Sequence, residues 1–138
     1  MAVFTQKISL KTKGNTDIIE ITPRVQEALR KSLLTDGTVN LFIPGSTGSL
    51  TTVEFEPGLV QDIKEFFQKT IPPGKYEHNL RWGDGNGHSH VRAALLGPSL
   101  TVPFVSGELV LGTWQQIVFI DFDNRPRSRE IILQVMGE

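Results

Sequence analysis

The sequence predicts an α+β fold: largely antiparallel β-sheet layers with about three helices packed against them, in a single domain spanning residues 1–138. Three observations carry that reading. About eight stretches show the alternation, or the β-branched and aromatic content, of strands. Most are separated by short turns rich in glycine, proline or asparagine, which suit antiparallel neighbours. The helical patterns are few and do not alternate with strands, so nothing points to βαβ units.

The elements follow in order. Val3 to Lys11 alternates, with Phe4, Gln6, Ile8 and Leu10 on one face, as a half-buried strand does. Lys13-Gly14-Asn15 is a turn, and Thr16 to Ile21 a second strand, which predicts a hairpin. Thr22-Pro23 opens a helix with a hydroxyl cap and a proline whose missing N–H is harmless there. Val25, Ala28, Leu29 and Leu33 share one face of that helix, and Thr35-Asp36-Gly37 ends it. Thr38 to Ile43 is a strand that stops at Pro44-Gly45, and Leu50 to Phe55 is the next. Glu56-Pro57 opens a second helix with an apolar stripe of Leu59, Val60, Ile63, Phe66 and Phe67, ended by Pro72-Pro73-Gly74.

Val91 to Leu96 is a short apolar helix stopped by Gly97-Pro98. Leu100 to Val105 and Glu108 to Leu111 flank Ser106-Gly107 as a hairpin. In Trp114 to Phe122 the run Ile117-Val118-Phe119-Ile120 is apolar on consecutive residues. It predicts a central strand covered on both faces. Arg129 to Met136 is the last strand.

With 138 residues, such a domain buries about two thirds of its unfolded surface and needs no covalent staple. It has no cysteine, which excludes disulfides, thiolate metal sites and cysteine nucleophiles. A net charge of −1 gives no general reason to expect nucleic acid. No apolar run approaches a membrane span, and the first residues lack a signal-peptide pattern, so a cytoplasmic protein is expected.

The stretch Tyr76 to His90 holds all three histidines, with Asp84, Asn86 and three glycines. It is too polar for core, and long polar segments of this kind are where function concentrates. In an extended segment His88 and His90 point the same way, and His78 lies within reach if the chain folds back. Neutral imidazole is the commonest metal ligand, and a catalytic zinc keeps one position open beside three protein ligands. The pattern therefore admits a metal site at His78, His88 and His90, with Asp84 or Glu54 near. It equally admits exposed histidines or ones bonded to backbone carbonyls. Asp84 and Asn86 also fit turn caps, and the oxygen series of a calcium loop is missing. Gly45-Ser46-Thr47-Gly48-Ser49 can bring backbone N–H groups to a phosphate or be a plain tight connection. Arg125, Arg127 and Arg129 share a face if extended, which suits an oxyanion or a solvated edge.

Ser89-His90-Val91, Ala93 to Gly97, Gly107-Glu108-Leu109, Gly112-Thr113-Trp114-Gln115 and Pro126-Arg127-Ser128-Arg129 occur in that order. This series resembles the YjbQ-type family, also called the secondary thiamine-phosphate synthase family, over nearly the whole chain. The resemblance implies a homotrimer with polar sites near subunit boundaries. It implies a thiamine-phosphate synthase-like transferase activity on small phosphorylated molecules, joining a pyrimidine diphosphate to a thiazole phosphate. By motif position His78, Asn86 and His90 match the family's polar site, with Glu54 in an earlier motif and Arg127 and Arg129 in a late one. His78, His90 and Glu54 are the expected catalytic residues, Asn86, Arg127 and Arg129 the expected ligand-binding ones, and Ser46 and Thr47 join these as the loop expected to cradle a phosphate. A divalent metal, zinc or magnesium, is expected at His78, His88 and His90. One departure stands out. Gly45 occupies the place of a histidine usual in the family, and His88 stands where the family tends to have another residue, so His88 is expected to replace the missing imidazole in space. The alternatives are a non-catalytic trimeric metal- or anion-binding protein and a metal-dependent hydrolase. No nucleic-acid or membrane partner is expected.

Overall fold

The computed structural model covers residues 1–138. The elements run β1 (Ala2–Thr12), β2 (Asp17–Glu20), α1 (Thr22–Ser32), β3 (Gly37–Phe42), β4 (Gly48–Glu54), α2 (Pro57–Thr70), α3 (Glu77–Trp82), α4 (Gly87–Leu96), β5 (Ser99–Val105), β6 (Glu108–Leu109), β7 (Gln115–Asp121) and β8 (Arg127–Gly137). The strands make two sheets, in the orders β1-β8-β3-β5-β6 and β2-β7-β4. Every pairing is antiparallel. The α+β class and the three longer helices agree with the sequence; the short α3 inside the histidine stretch was not expected.

Strand β7 sets the layering. Ile117 and Phe119 enter one core with Leu41, Val102, Ile131 and Leu133 of the five-stranded sheet and Val25 and Leu29 of α1. Val118 and Ile120 enter a second core with Phe67 of α2 and Ala93 of α4. Successive side chains of a strand point to opposite faces, so an unbroken apolar run feeds two cores at once. The three-stranded sheet is thus the middle layer.

The predicted hairpin of β1 with β2 is not formed. β1 pairs with β8, and β2 with β7 in the other sheet. The intervening Gly14, Asn15 and Thr16 all have positive φ, 74°, 52° and 65°. Their turn carries the chain across, with the Asn15 and Thr16 N–H groups donating to the carbonyls of Asp123 and Asp121. A second local expectation also changes. Thr22 does not cap α1; its hydroxyl accepts from the Ile117 N–H of β7. Glu56 does cap α2, accepting from the Gly58 and Leu59 N–H groups, which satisfies two orphan donors of the first turn.

Gly37 and Gly137 face each other in the β3–β8 ladder. A Cβ on Gly37 would collide with the Met136 carbonyl, and one on Gly137 with the Asp36 carbonyl. Backbone must then move where the β3–β8 ladder ends. Gly37→Ala is expected to destabilise the fold by about 1–3 kcal/mol, as overpacking does, read as a lower urea midpoint. An unchanged midpoint would show that the two strands separate freely.

Candidate functional site

The site grows from the end of the inter-sheet core. Inward positions of β7 run Ile117, Phe119, Asp121, and those of β8 run Arg129, Ile131, Leu133. The alternation that buries the apolar residues therefore points Asp121 and Arg129 at each other across the two sheets. Their contact is a two-pronged ion pair, Nε to Oδ2 at 2.8 Å and Nη2 to Oδ1 at 2.9 Å. Both are buried, Asp121 at 0% exposure and Arg129 at 7%. The Thr12 hydroxyl donates to Asp121 Oδ2 at 2.6 Å. Arg129 Nη2 also donates to Thr47 Oγ1, which in turn donates to Asp123 Oδ2 at 3.0 Å. A buried charge is tolerated when it is paired and its remaining valences are filled, as here.

Outward from this plug lies a cavity of about 250 Å³. Gly45, Ser46 and Thr47 form one wall, Asp84, Asn86 and His90 another, and Asp123, Arg125, Arg127 and Arg129 the third. Gly45 has φ of 114°, and a Cβ there would stand 3.3 Å from Arg129 Nη1. Glycine thus leaves space directly over the guanidinium. Arg127 and Arg125 approach Asp123 only loosely, at 3.7 and 4.0 Å. Their forks keep donors for a ligand.

The helices bring the histidines in. α3 ends at Gly83, a left-handed cap with φ of 66°. Asn86 then opens α4, its carbonyl accepting from the Ser89 and His90 N–H groups and its side chain from the Asn124 N–H. This docks the start of α4 against the turn that carries the arginines. The His78 and His90 rings lie 4.4 Å apart between centroids. His78 Nδ1 is 3.4 Å from Asp84 Oδ1 and has no hydrogen-bond partner. His90 has its pKa lowered, first by burial and then by His78, against the opposing pull of Asp84, Asp123 and the Ser46 backbone. The ring is therefore neutral at neutral pH and has both a proton to give and a lone pair to accept one.

The structure gathers Ser46, Thr47, Asn86, His90, Arg127 and Arg129 at one cavity, with His78 beside it. It does not bring in His88 or Glu54. The His-x-His run, His88 to His90, is helical, not extended, and residues two apart on a helix point about 200° apart. His88 consequently faces a different cavity, beside Arg92. It does not stand in for an imidazole at Gly45. Glu54 closes the far end of β4, opposite Gln115 and exposed, about 20 Å of strand from Gly48. No three His, Asp or Glu side chains converge as metal ligands, so one chain does not assemble the expected three-histidine centre. Thr47 is a bridge between Arg129 and Asp123 rather than a free phosphate donor.

Sequence reasoning passed over Asp121 and Asp123. Their signal was present in Ile120-Asp121-Phe122-Asp123: a carboxylate inside an apolar strand needs a buried partner. Burial raises the Asp121 pKa, but the hydrogen bonds from Arg129, Thr12 and the Asp123 backbone outweigh it and hold the group below the ordinary carboxylate value. Its folded value is thus lower than its unfolded value of about 4. The stabilisation it provides is full above that pH and is lost as pH falls through the folded value. Stability measured by urea against pH is expected to fall below about pH 4, and Asp121→Asn to flatten that segment. An identical acid limb in the variant would place the titration elsewhere.

Comparison with known proteins agrees with this architecture. The family model described as UPF0047 protein YjbQ-like matches residues 6–138. A UPF0047 protein of Archaeoglobus fulgidus is 41% identical over 131 residues, covering 94% of this chain and 99% of that protein. The UPF0047 protein YugU of Bacillus subtilis is 33% identical, covering 94% and 97%. Among solved structures, a protein of unknown function from Sulfolobus solfataricus superposes with a TM-score of 0.94 at 31% identity, covering 99% of each chain. An uncharacterised YjbQ/UPF0047 protein of Clostridium acetobutylicum gives 0.87 at 35% identity, covering 95% and 99%. With its sequence matched from Gln6 to Glu138 and its fold matched end to end, this chain belongs to the YjbQ-like UPF0047 family.

Proposed function

We propose that the arginine-lined cavity binds the phosphate or diphosphate of a small molecule, and that the protein is a transferase resembling secondary thiamine-phosphate synthases. The observation that supports this is the placement of Arg127 and Arg129 around one cavity, with Gly45 leaving space over Arg129 Nη1 and His78 and His90 at the rim. In such a transfer the carbon–oxygen bond to the pyrimidine's diphosphate breaks and a carbon–nitrogen bond to the thiazole phosphate forms. Diphosphate leaves with the electron pair. Arg125, Arg127 and Arg129 offset the charge that gathers on it, and a neutral His90 is placed to give it a proton. Since one chain does not supply three metal ligands, no step is assigned to zinc or magnesium here.

The protein acts as a homotrimer in this reading. Leu80 and Trp82 of α3 are 81% and 74% exposed, large apolar side chains that a second copy would cover. Light scattering should give three times the 15.3 kDa protomer. A coupled assay with the two phosphorylated precursors tests the chemistry. Turnover no higher than that of the His78→Ala, His90→Ala double variant removes the transferase reading. Saturable phosphate binding without turnover would establish the second reading, a non-catalytic anion-binding protein, which Gly45 in place of the family's histidine favours. No helix is long and apolar enough to cross a membrane.

A further inference from the structure

We propose a second binding site for a small oxyanion, a phosphate or carboxylate without an apolar body, in the cavity between α4, α2 and the turn before β2. This cavity holds about 270 Å³, and polar or charged side chains line it apart from Pro73. It lies on the His88 side of α4, whereas the arginine cavity lies on the His90 side.

Three of its lining side chains are built in. His88, Arg92 and Thr16 are each only 4% exposed. Arg92 donates from Nε to the Ile71 carbonyl, from Nη2 to the Phe67 carbonyl and from Nη1 to the Thr16 hydroxyl. All three acceptors are neutral, and the fork's other two N–H donors are left over. No carboxylate lies within 4.0 Å of this guanidinium, in contrast to Arg129 with its bonded aspartate. A buried cation with neutral partners alone is an unfavourable arrangement that an anion would relieve. His88 Nδ1 is buried with no hydrogen-bond partner. Thr16 is held at φ of 65°, a conformation β-branched residues avoid and one that tends to mark ligand sites.

The rim fits the same ligand. Lys64 adds a second cation, and Asn15 and Gln61 add amide donors. Glu65 also stands at the rim, where its carboxylate accepts from Gln61 Nε2. Amides and cations, with Pro73 the one apolar side chain among them, favour a compact hydrated anion over a larger organic one.

The imidazole nitrogens of the three histidines, followed separately by NMR in the full ¹⁵N-labelled protein, test the proposal. Inorganic phosphate is the probe. The His88 resonances are expected to move saturably. Lys64→Ala, an exposed change with no bonds in the fold, should weaken the midpoint read at His88 about fivefold and leave that read at His90 unchanged. Arg127→Ala should do the reverse, and if the arginine cavity binds nothing, His90 stays static while His88 still responds and Lys64→Ala still weakens that response. Gln61→Ala serves as a second rim variant. A static His88, or a His88 response that neither rim variant shifts, overturns the site and leaves Arg92 as a clamp on the end of α2.

Discussion

Arg129→Ala is expected to lower stability by about 3–5 kcal/mol, the range seen when one partner of a buried ion pair is removed. Most of this loss comes from what stays behind. Asp121 is fully buried, and without the guanidinium it keeps only the Thr12 hydroxyl and the Asp123 N–H. It must then hold an uncompensated charge or take up a proton. Arg129→Lys should recover only part, since a single ammonium cannot make both parallel bonds. The double variant Asp121→Leu, Arg129→Met should lose less than Arg129→Ala, because no charge is stranded. Urea denaturation of the three variants checks the order. A loss below about 1 kcal/mol for Arg129→Ala would mean water already reaches the pair.

Arg127→Ala is expected to weaken phosphate binding in the arginine cavity by about ten- to a hundredfold while changing stability little. The first figure follows from a charged hydrogen bond to ligand worth about 1.5–3 kcal/mol, with 1.4 kcal/mol per factor of ten. The second follows from geometry. The Arg127 side chain is 36% exposed and its nearest carboxylate oxygen is 3.7 Å away, so the fold loses a loose, solvated pair. Titration calorimetry with inorganic phosphate reads the affinity, and urea unfolding the stability. An unchanged affinity would remove Arg127 from the site. An equal loss in both measurements would make it a structural residue like Arg129.

These two arginines show how far the pattern of the chain reaches. Their alternation puts both on the inward face of β8, and that much is visible in Arg127-Ser128-Arg129. That one is buried and tied to Asp121 through Nε and Nη2, with only Nη1 left toward the cavity, while the other stays largely open to ligand, is not visible there. It depends on where β7 ends relative to β8, across a sheet boundary that no local period reports. The family resemblance, the antiparallel class and the doubly buried run of β7 were likewise legible, because each rests on side-chain type at short spacing.

Neighbouring residues along the chain govern strand and helix content, turn positions and which residues share a face, since these follow from backbone sterics and apolar periodicity over a few residues. Long-range packing governs the rest. It sends β1 and β2 to different sheets through a left-handed Gly14-Asn15-Thr16 turn. It draws the His-x-His run into the first turn of α4, which turns His88 away from His90 and replaces one three-histidine cluster with two separate cavities. A histidine's neighbours in space are fixed by the helix phase and by docking contacts such as Asn86 on Asn124, and those contacts join residues 38 positions apart.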